Sequence, residues 1–83
     1  MTLTILYFAW LRERIGLPRE SVTTEAATVA DLVAELRTRE DRYALAFSDL
    51  RAVRVALDQQ LSDFSAPLAG VREVAFFPPM TGG

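Results

Sequence analysis

The sequence predicts an α+β fold in which a mixed sheet of about five strands carries one main helix across one face, with a short extra helix after the first strand. Three patterns support this prediction. Residues 3–9 are rich in β-branched and aromatic side chains, residues 29–36 repeat apolar side chains at helical spacing, and residues 53–57 alternate with the period of a strand. These elements are enough for one small domain.

The first stretch, Leu3–Ala9, is apolar at nearly every position, which indicates a central strand buried on both faces. A short helix is predicted over Ala9–Ile15, because apolar and charged residues mix there and Gly16 and Pro18 can end it. A second strand is expected at about residues 20–24. The chain thus opens with a strand, a short helix and a strand.

The main helix begins at Thr28, whose hydroxyl can cap the first turn, with Asp31 as a shorter variant of the capping-box acid. Glu35 and Arg39 are spaced to form an ion pair on its solvent side. Its apolar face comprises Val29, Leu32, Val33 and Leu36. The arginines near its end are Arg37, Arg39 and Arg42, which we interpret as a solvated face that complements the helix dipole rather than as an anion site.

A half-buried strand is predicted over Val53–Leu57, with Val53, Val55 and Leu57 on one side of the sheet. The polar residues 58–60 make a turn that leads into a short segment around Leu61. Two short strands are therefore expected in this part of the chain.

The last strand is predicted over Glu73–Phe77 and is stopped by Pro78 and Pro79, since proline cannot donate a ladder hydrogen bond. We therefore divide the chain into a domain of residues 1–79 and a flexible Gly-Gly tail of residues 80–83.

Composition excludes several kinds of active site. Among the 83 residues there is no cysteine and no histidine, so a side-chain thiolate, a disulfide and the commonest metal ligand and general base are all missing. We expect no metal site and no bound cofactor. The nine basic residues are all arginine and are outnumbered by eleven acids, which makes nucleic acid a poor partner. No apolar stretch has membrane-spanning length, and we expect a cytoplasmic protein.

The tail ends in Gly82 and Gly83, and a pair of terminal glycines occurs by chance in roughly one chain in two hundred. Glycine has no Cβ, so this end of the chain can enter a narrow channel. The competing interpretation is a frayed terminus with incidental glycines. The preceding strand and diproline favour a thin arm that a partner's active site could admit.

A second feature concerns the face of the sheet that one helix cannot cover. Phe77, Phe8 and Leu61 are candidates for an apolar patch that binds another protein. The alternative is that the short helix around Trp10 and Leu11 covers this face. The sequence alone leaves both open.

The closing segment Glu73-Val-Ala-Phe-Phe-Pro-Pro-Met-Thr-Gly-Gly83 resembles the C-terminal signature of the molybdopterin synthase small subunit family. The resemblance extends over essentially the whole chain, through residues 6–9, 11–13, 28–32, 53–57 and 67–68. The chain departs from the family at Asp58, where asparagine is usual, and at Val71-Arg72 in the turn before the last strand. The resemblance implies a ubiquitin-like β-grasp fold.

The resemblance also implies a function. A ubiquitin-activating-like adenylyltransferase would use ATP to adenylate the Gly83 carboxylate, and a persulfide donor would convert it to a thiocarboxylate. This chain would then be the sulfur-donating small subunit of a two-subunit enzyme, not an enzyme by itself. Its arm would enter the large subunit of a heterotetramer, where its sulfur forms the dithiolene of molybdopterin from a cyclic pyranopterin precursor. The expected site residues are Gly83 and Gly82 for the chemistry, and Phe77, Phe8, Leu61, Pro78, Pro79, Met80 and Thr81 for the partner contact.

Three alternatives remain from the sequence. A sulfur carrier of the thiamine pathway shares the fold and the Gly-Gly end. A ubiquitin-like modifier would attach Gly83 to lysines of target proteins. A plain interaction subunit would carry an inert tail.

Overall fold

The computed structural model describes residues 1–79, so the predictions made for residues 80–83 lie outside the described residues. Within the described part the elements follow in the order β1 Thr2–Tyr7, α1 Ala9–Ile15, β2 Arg19–Thr23, α2 Val29–Arg39, α3 Asp41–Ala46, a 3₁₀ turn at Leu50–Ala52, β3 Arg54–Leu57, β4 Gln60–Ser62 and β5 Glu73–Phe77. The predicted α+β class is confirmed.

One five-stranded sheet carries the fold, with the strands in the order β2-β1-β5-β3-β4. Strands β1 and β5 run parallel, and the other neighbouring pairs are antiparallel, so the sheet is mixed as predicted. The last strand therefore lies in the middle of the sheet, paired on both sides. Because β1 and β5 point the same way, the chain leaves the sheet at Pro78 beside the start of α1.

The core lies on one face of the sheet. Strand side chains on that face pack against the buried faces of the helices in a single cluster, which includes Leu3, Ile5, Tyr7, Val22, Val55, Val74 and Phe76 from the strands, Leu11 and Ile15 from α1, and Leu32 and Leu36 from α2. The apolar side of α1 thus joins the same core as α2. The alternative in which α1 covers the opposite face is therefore wrong.

Phe76 is the aromatic centre of this core and is fully buried. Tyr7 stacks against it with ring centroids 6.2 Å apart, and Phe47 meets it edge-on at 5.0 Å. Offset-stacked and edge-to-face arrangements are the favoured ones for aromatic pairs. The buried Phe76 side chain therefore holds β5, the strand that leads to the tail, against the core.

The predicted two-sided burial of the first strand is wrong. Leu3, Ile5 and Tyr7 are buried, whereas Thr4 and Leu6 on the other face are only partly covered. The apolar run is continuous because the second face is an apolar surface of the sheet, not because a second layer covers it. The strand also stops at Tyr7, before Ala9.

The two predicted helices are confirmed at their ends. Gly16 closes α1 in the left-handed region at φ 87° and its N–H donates to Arg12 O at 2.8 Å. Thr28 caps α2, accepting from the Asp31 N–H at 3.2 Å. Arg39 pairs with Glu35 at 2.9 Å on the solvent side, as its spacing predicted. The second strand lies one residue earlier than expected.

Helix α3 was not predicted, and its presence corrects the interpretation of Arg42. This side chain does not belong to the solvated end of α2. It donates to the Ile15 carbonyl at 2.8 Å and to Glu40 at 2.9 Å, and its guanidinium lies 5.0 Å from the Tyr43 ring centre. Arg42 therefore ties α3 to the last carbonyls of α1, where a cation is favoured by the helix dipole.

Two tyrosines share one carboxylate at the edge of the core. The hydroxyls of Tyr7 and Tyr43 each donate to Oε2 of Glu20 at 2.7 Å. Burial, followed by the hydrogen bond to Glu20 and its charge, raises the pKa of Tyr43 to about 12 and moves the pKa of Tyr7 upward for the same reasons. The shared carboxylate links β1, β2 and α3.

We expect this cluster to make the fold sensitive to alkaline pH. Both folded-state tyrosine pKa values lie above the ordinary value of 10.0. The two tyrosine–Glu20 hydrogen bonds therefore contribute their full stabilisation below about pH 10. It is lost as the pH rises from 10 through the folded pKa of about 12 for Tyr43, because the unfolded chain gives up its tyrosine protons first. Urea unfolding measured from about pH 9 to about pH 12 should show this loss. Tyr43→Phe should lower the free energy of unfolding at neutral pH by about 1 kcal/mol and flatten the alkaline loss. An unchanged slope would contradict the assignment.

Within residues 1–79, none of the helices has the length and apolar character needed to span a bilayer.

Candidate functional site

An apolar groove lies at the point where the chain leaves the sheet. It is lined by Phe8, Ala9, Ala75, Phe77, Pro78 and Pro79, and its volume is about 420 Å³. Phe8 is 47% exposed, so about half of this large apolar side chain faces solvent. Every described residue that lines this groove is apolar, so the groove is suited to binding apolar groups.

Strand alternation explains how the groove forms. Successive side chains of β5 point to opposite faces, so Phe76 enters the core and Phe77 faces outward. Parallel pairing of Tyr7 with Phe76 brings the next residue, Phe8, beside Phe77, and the Phe8 N–H donates to the Phe76 carbonyl at 3.1 Å. The two predicted phenylalanines thus line one site.

Leu61 lies on the same face but outside the groove. It pairs with Ala56, which pairs with Ala75, which pairs with Leu6, so these four residues form one row across the sheet. Leu61 is 75% exposed at the end of that row. The structure therefore places the three predicted patch residues on one open face, with two of them in the groove and the third on the strand β4.

The backbone of Ala9 was missed by the sequence analysis. Its φ of 53° lies in the left-handed region, a conformation that costs a non-glycine residue on the order of 1–3 kcal/mol. Ala9 lines the groove directly after Phe8 and starts α1. This turn lets the chain change from strand to helix while Phe8 stays outward. Nothing in an alanine signals such a conformation.

The chain departs from the resembled family at Asp58 and at Val71-Arg72, and the Asp58 side chain contacts the second of these positions. Asp58 and Gln59 both have positive φ, 49° and 71°, and form the two-residue turn between β3 and β4. Asp58 Oδ1 accepts from the backbone N–H groups of Arg72 at 3.1 Å and Glu73 at 2.9 Å. An asparagine side-chain oxygen can accept the same bonds. The turn therefore holds the start of β5 with either residue.

We expect Asp58→Asn to change the free energy of unfolding by less than about 0.5 kcal/mol, and Asp58→Ala to lower it by about 1 kcal/mol. Both lack the negative charge, so the comparison measures the side-chain oxygen together with the greater tolerance of asparagine for the positive φ at this position. Chemical denaturation of the two variants and the parent checks this. Equal losses in both would show that the carboxylate charge matters and the acceptor does not.

The residues expected to carry the chemistry, Gly82 and Gly83, lie outside the described residues, together with Met80 and Thr81. Their roles, and the division of the chain into a domain and a tail, stay predictions. Pro78 and Pro79, which precede them, line the apolar groove. The tail therefore begins at the groove.

The fold and the site together define a class of protein, a ubiquitin-like β-grasp domain whose central strand ends beside an apolar groove. The pattern of the ThiS family matches residues 5–83, and this chain belongs to that family.

Two relatives extend over nearly the whole chain. The molybdopterin synthase sulfur carrier subunit of Escherichia coli (strain K12) is 40% identical over 79 residues, which are 95% of this chain and 96% of that protein. The protein of the same name from Haemophilus influenzae is 35% identical over 81 residues, covering 98% and 99%. A solved structure of a putative molybdopterin converting factor, subunit 1, from Pyrococcus furiosus superposes with a TM-score of 0.72 at 22% identity, covering 96% and 99%. That last likeness concerns the fold.

Proposed function

We infer that this chain is a sulfur carrier in molybdenum cofactor biosynthesis and acts as the small subunit of molybdopterin synthase. Two near-full-length relatives, at 40% and 35% identity, are named molybdopterin synthase sulfur carrier subunit. The single structural observation that supports the proposal most is the apolar groove, because it lies where the chain turns into its Gly-Gly end. By itself the chain is not an enzyme.

The chemistry is assigned to the carboxylate of Gly83. A terminal carboxyl group has a pKa of about 3.5 and is ionised at neutral pH, so it is a poor electrophile until one oxygen becomes part of a leaving group. Adenylation by an ATP-using partner supplies that leaving group. Attack by a persulfide sulfur then displaces AMP, and reductive cleavage of the sulfur–sulfur bond by a thiol leaves a thiocarboxylate on Gly83. This chain, which has no cysteine, carries its sulfur in that form.

The partner contact is assigned to the open face of the sheet. Phe8 and Phe77 would enter apolar pockets of the large subunit, and Pro78 and Pro79 would direct the tail toward its active site. Met80 and Thr81 would line the entrance. Leu61 would extend the contact along the sheet. The assembly proposed is a heterotetramer of two small and two large subunits.

Mass spectrometry of the C-terminal peptide tests the proposal. The full chain is incubated with ATP, a sulfur donor and extract of its own host, and fragmentation locates the change. We expect one oxygen replaced by sulfur at Gly83, only when ATP is present. Localisation matters because that exchange is close in mass to oxidation of Met80.

A sulfur carrier already known to be loaded in the same extract is the positive control. If that control is loaded and Gly83 stays unmodified, the chain is an interaction subunit with an inert tail. Co-purification then separates the pathways, because the molybdopterin synthase large subunit supports the proposal and a thiazole synthase supports the thiamine pathway. Gly-Gly remnants on lysines of other proteins would indicate a modifier.

A further inference from the structure

A second cavity lies on the helical side of the molecule, where α1 and the segment that begins with α3 meet. It is lined by Arg14, Arg42, Leu45 and Ser48, and its volume is about 460 Å³. Pockets that bind small molecules commonly have volumes of about 300–1,000 Å³. The lining of this cavity combines two cations with a hydroxyl and an apolar side chain, so its chemistry differs from that of the apolar groove.

Arg14 is held in place by the tryptophan one turn before it. The guanidinium carbon of Arg14 lies 4.6 Å from the centre of the Trp10 ring, and a cation over an aromatic face is attracted by the ring quadrupole. This contact uses the flat face of the guanidinium, whereas its N–H donors lie in the plane of the group. Arg14 can therefore stay stacked on Trp10 and donate hydrogen bonds to a ligand in the cavity.

Arg42 is held from three directions. Its Nη1 donates to the Ile15 carbonyl at 2.8 Å, its Nη2 donates to Glu40 at 2.9 Å, and its guanidinium lies 5.0 Å from the Tyr43 ring centre. A guanidinium has five N–H donors, so Arg42 can keep these contacts and still donate to a ligand. Both arginines are thus ordered by the protein itself, which lowers the entropic cost of binding.

The charge of the cavity favours an anion. The Glu40 carboxylate offsets the charge of Arg42, but Glu40 is not among the residues that line the cavity, so the two guanidinium groups and Arg14's full charge face its interior. Ser48 adds a hydroxyl that can donate a hydrogen bond. Leu45 is 65% exposed and gives the cavity an apolar wall.

This set of donors fits a phosphate group better than a carboxylate. A phosphate monoester presents three strong acceptor oxygens and nearly two negative charges at neutral pH, whereas a carboxylate presents two oxygens and one charge. Arginine forks bind oxyanions of this kind through paired N–H donors. Two forks and one hydroxyl match three oxygens, and the Leu45 side chain can contact the organic part of the ligand.

We propose that this cavity binds the phosphate group of a small phosphate ester. Arg14 and Arg42 donate to the phosphate oxygens, Ser48 adds a third donor, and Leu45 packs against the organic substituent. The proposal is separate from the sulfur-carrier function, because the cavity shares no lining residue with the apolar groove.

The test is an NMR titration of the full, ¹⁵N-labelled chain with phenyl phosphate. It is made at about pH 7.5, where a phosphate monoester carries nearly two charges, and sodium chloride keeps the ionic strength constant. We expect saturable amide shifts confined to the end of α1 and to residues 42–48, with a Kd on the order of 1 mM. Inorganic phosphate should bind about threefold more weakly because it lacks the contact with Leu45, and Leu45→Ala should remove that difference.

Two arginine variants on the same helix separate a site from general attraction. Arg14→Gln should weaken binding of phenyl phosphate by at least about tenfold, since it removes a charge-assisted contact. Arg12→Gln makes the same change of charge on α1 at an exposed position outside the cavity lining, and it should leave the Kd within about twofold of the parent's. Arg42 is left intact because it holds α3 to α1. Ser48→Ala serves as the second cavity variant, and thermal melts establish that every form is folded.

Equal weakening by Arg12→Gln and Arg14→Gln would overturn the proposal, because it would show attraction to the surface charge alone. Shifts that fail to saturate at concentrations well above 1 mM, on the order of tens of millimolar, would overturn it as well. Benzoate that binds as tightly as phenyl phosphate would contradict the assignment to phosphate. Since no partner protein takes part, these results are independent of whether the chain carries sulfur.

Discussion

Removal of Gly82 and Gly83 is expected to abolish sulfur transfer while leaving the melting temperature unchanged. The described core is complete by Phe77, and Phe76 is fully buried, so the deletion removes no residue of the described core. The shortened chain would still present its apolar groove to the large subunit. Molybdopterin formation is measured with the large subunit and with each form of the chain prepared as its C-terminal thiocarboxylate, and it should fall to background for the shortened chain. Differential scanning calorimetry checks the fold.

A matched control is Thr2→Ala, an exposed change at the opposite end of the sheet, which should leave both transfer and melting intact. A large drop in melting temperature on removing the glycines would show that the tail is part of the folded structure. Unchanged molybdopterin formation would sink the carrier proposal.

Phe77→Ala is expected to weaken binding to the large subunit by about 30-fold or more, which corresponds to about 2 kcal/mol for a buried aromatic anchor. Phe77 is only partly covered in the free chain and lines the groove with Phe8. Its truncation should therefore cost little stability. Isothermal titration calorimetry with the large subunit measures the affinity.

The neighbouring residue of the same strand provides the control. Phe76 is fully buried between Tyr7 and Phe47, so Phe76→Ala should lower the free energy of unfolding by about 3–5 kcal/mol. One strand thus carries a stability residue and a binding residue side by side. If Phe77→Ala binds as tightly as the parent, the groove is not the docking surface.

The elements that the sequence predicted well are those with local signals. Gly16 ends α1, Thr28 caps α2, and the diproline ends β5, and each of these acts within a few residues of its own position. Phe8 and Phe77 could be matched because alternation fixes the face of each side chain. Pairing of the first and last strands then brought them into one groove.

The features that were missed depend on distant contacts. Helix α3 is short, and Arg42 finds its partner in Ile15, which is far away in the sequence. Leu6 was expected to be buried with the rest of the first strand, because the residue type is the same for an apolar side chain on an open face and for one in a core. The left-handed backbone of Ala9 is imposed by the strand and helix on either side of it. Local patterns contain none of this information.

The central position of β5 has a mechanical consequence. A partner that holds the tail and pulls loads β5 along its own axis, with β1 hydrogen-bonded on one side and β3 on the other. All the ladder bonds on both sides then resist in shear at the same time, instead of opening one after another as they would at a sheet edge. The domain can therefore bear tension on its C-terminal end without unzipping, as the proposed function would require of a carrier that passes from one partner to the next.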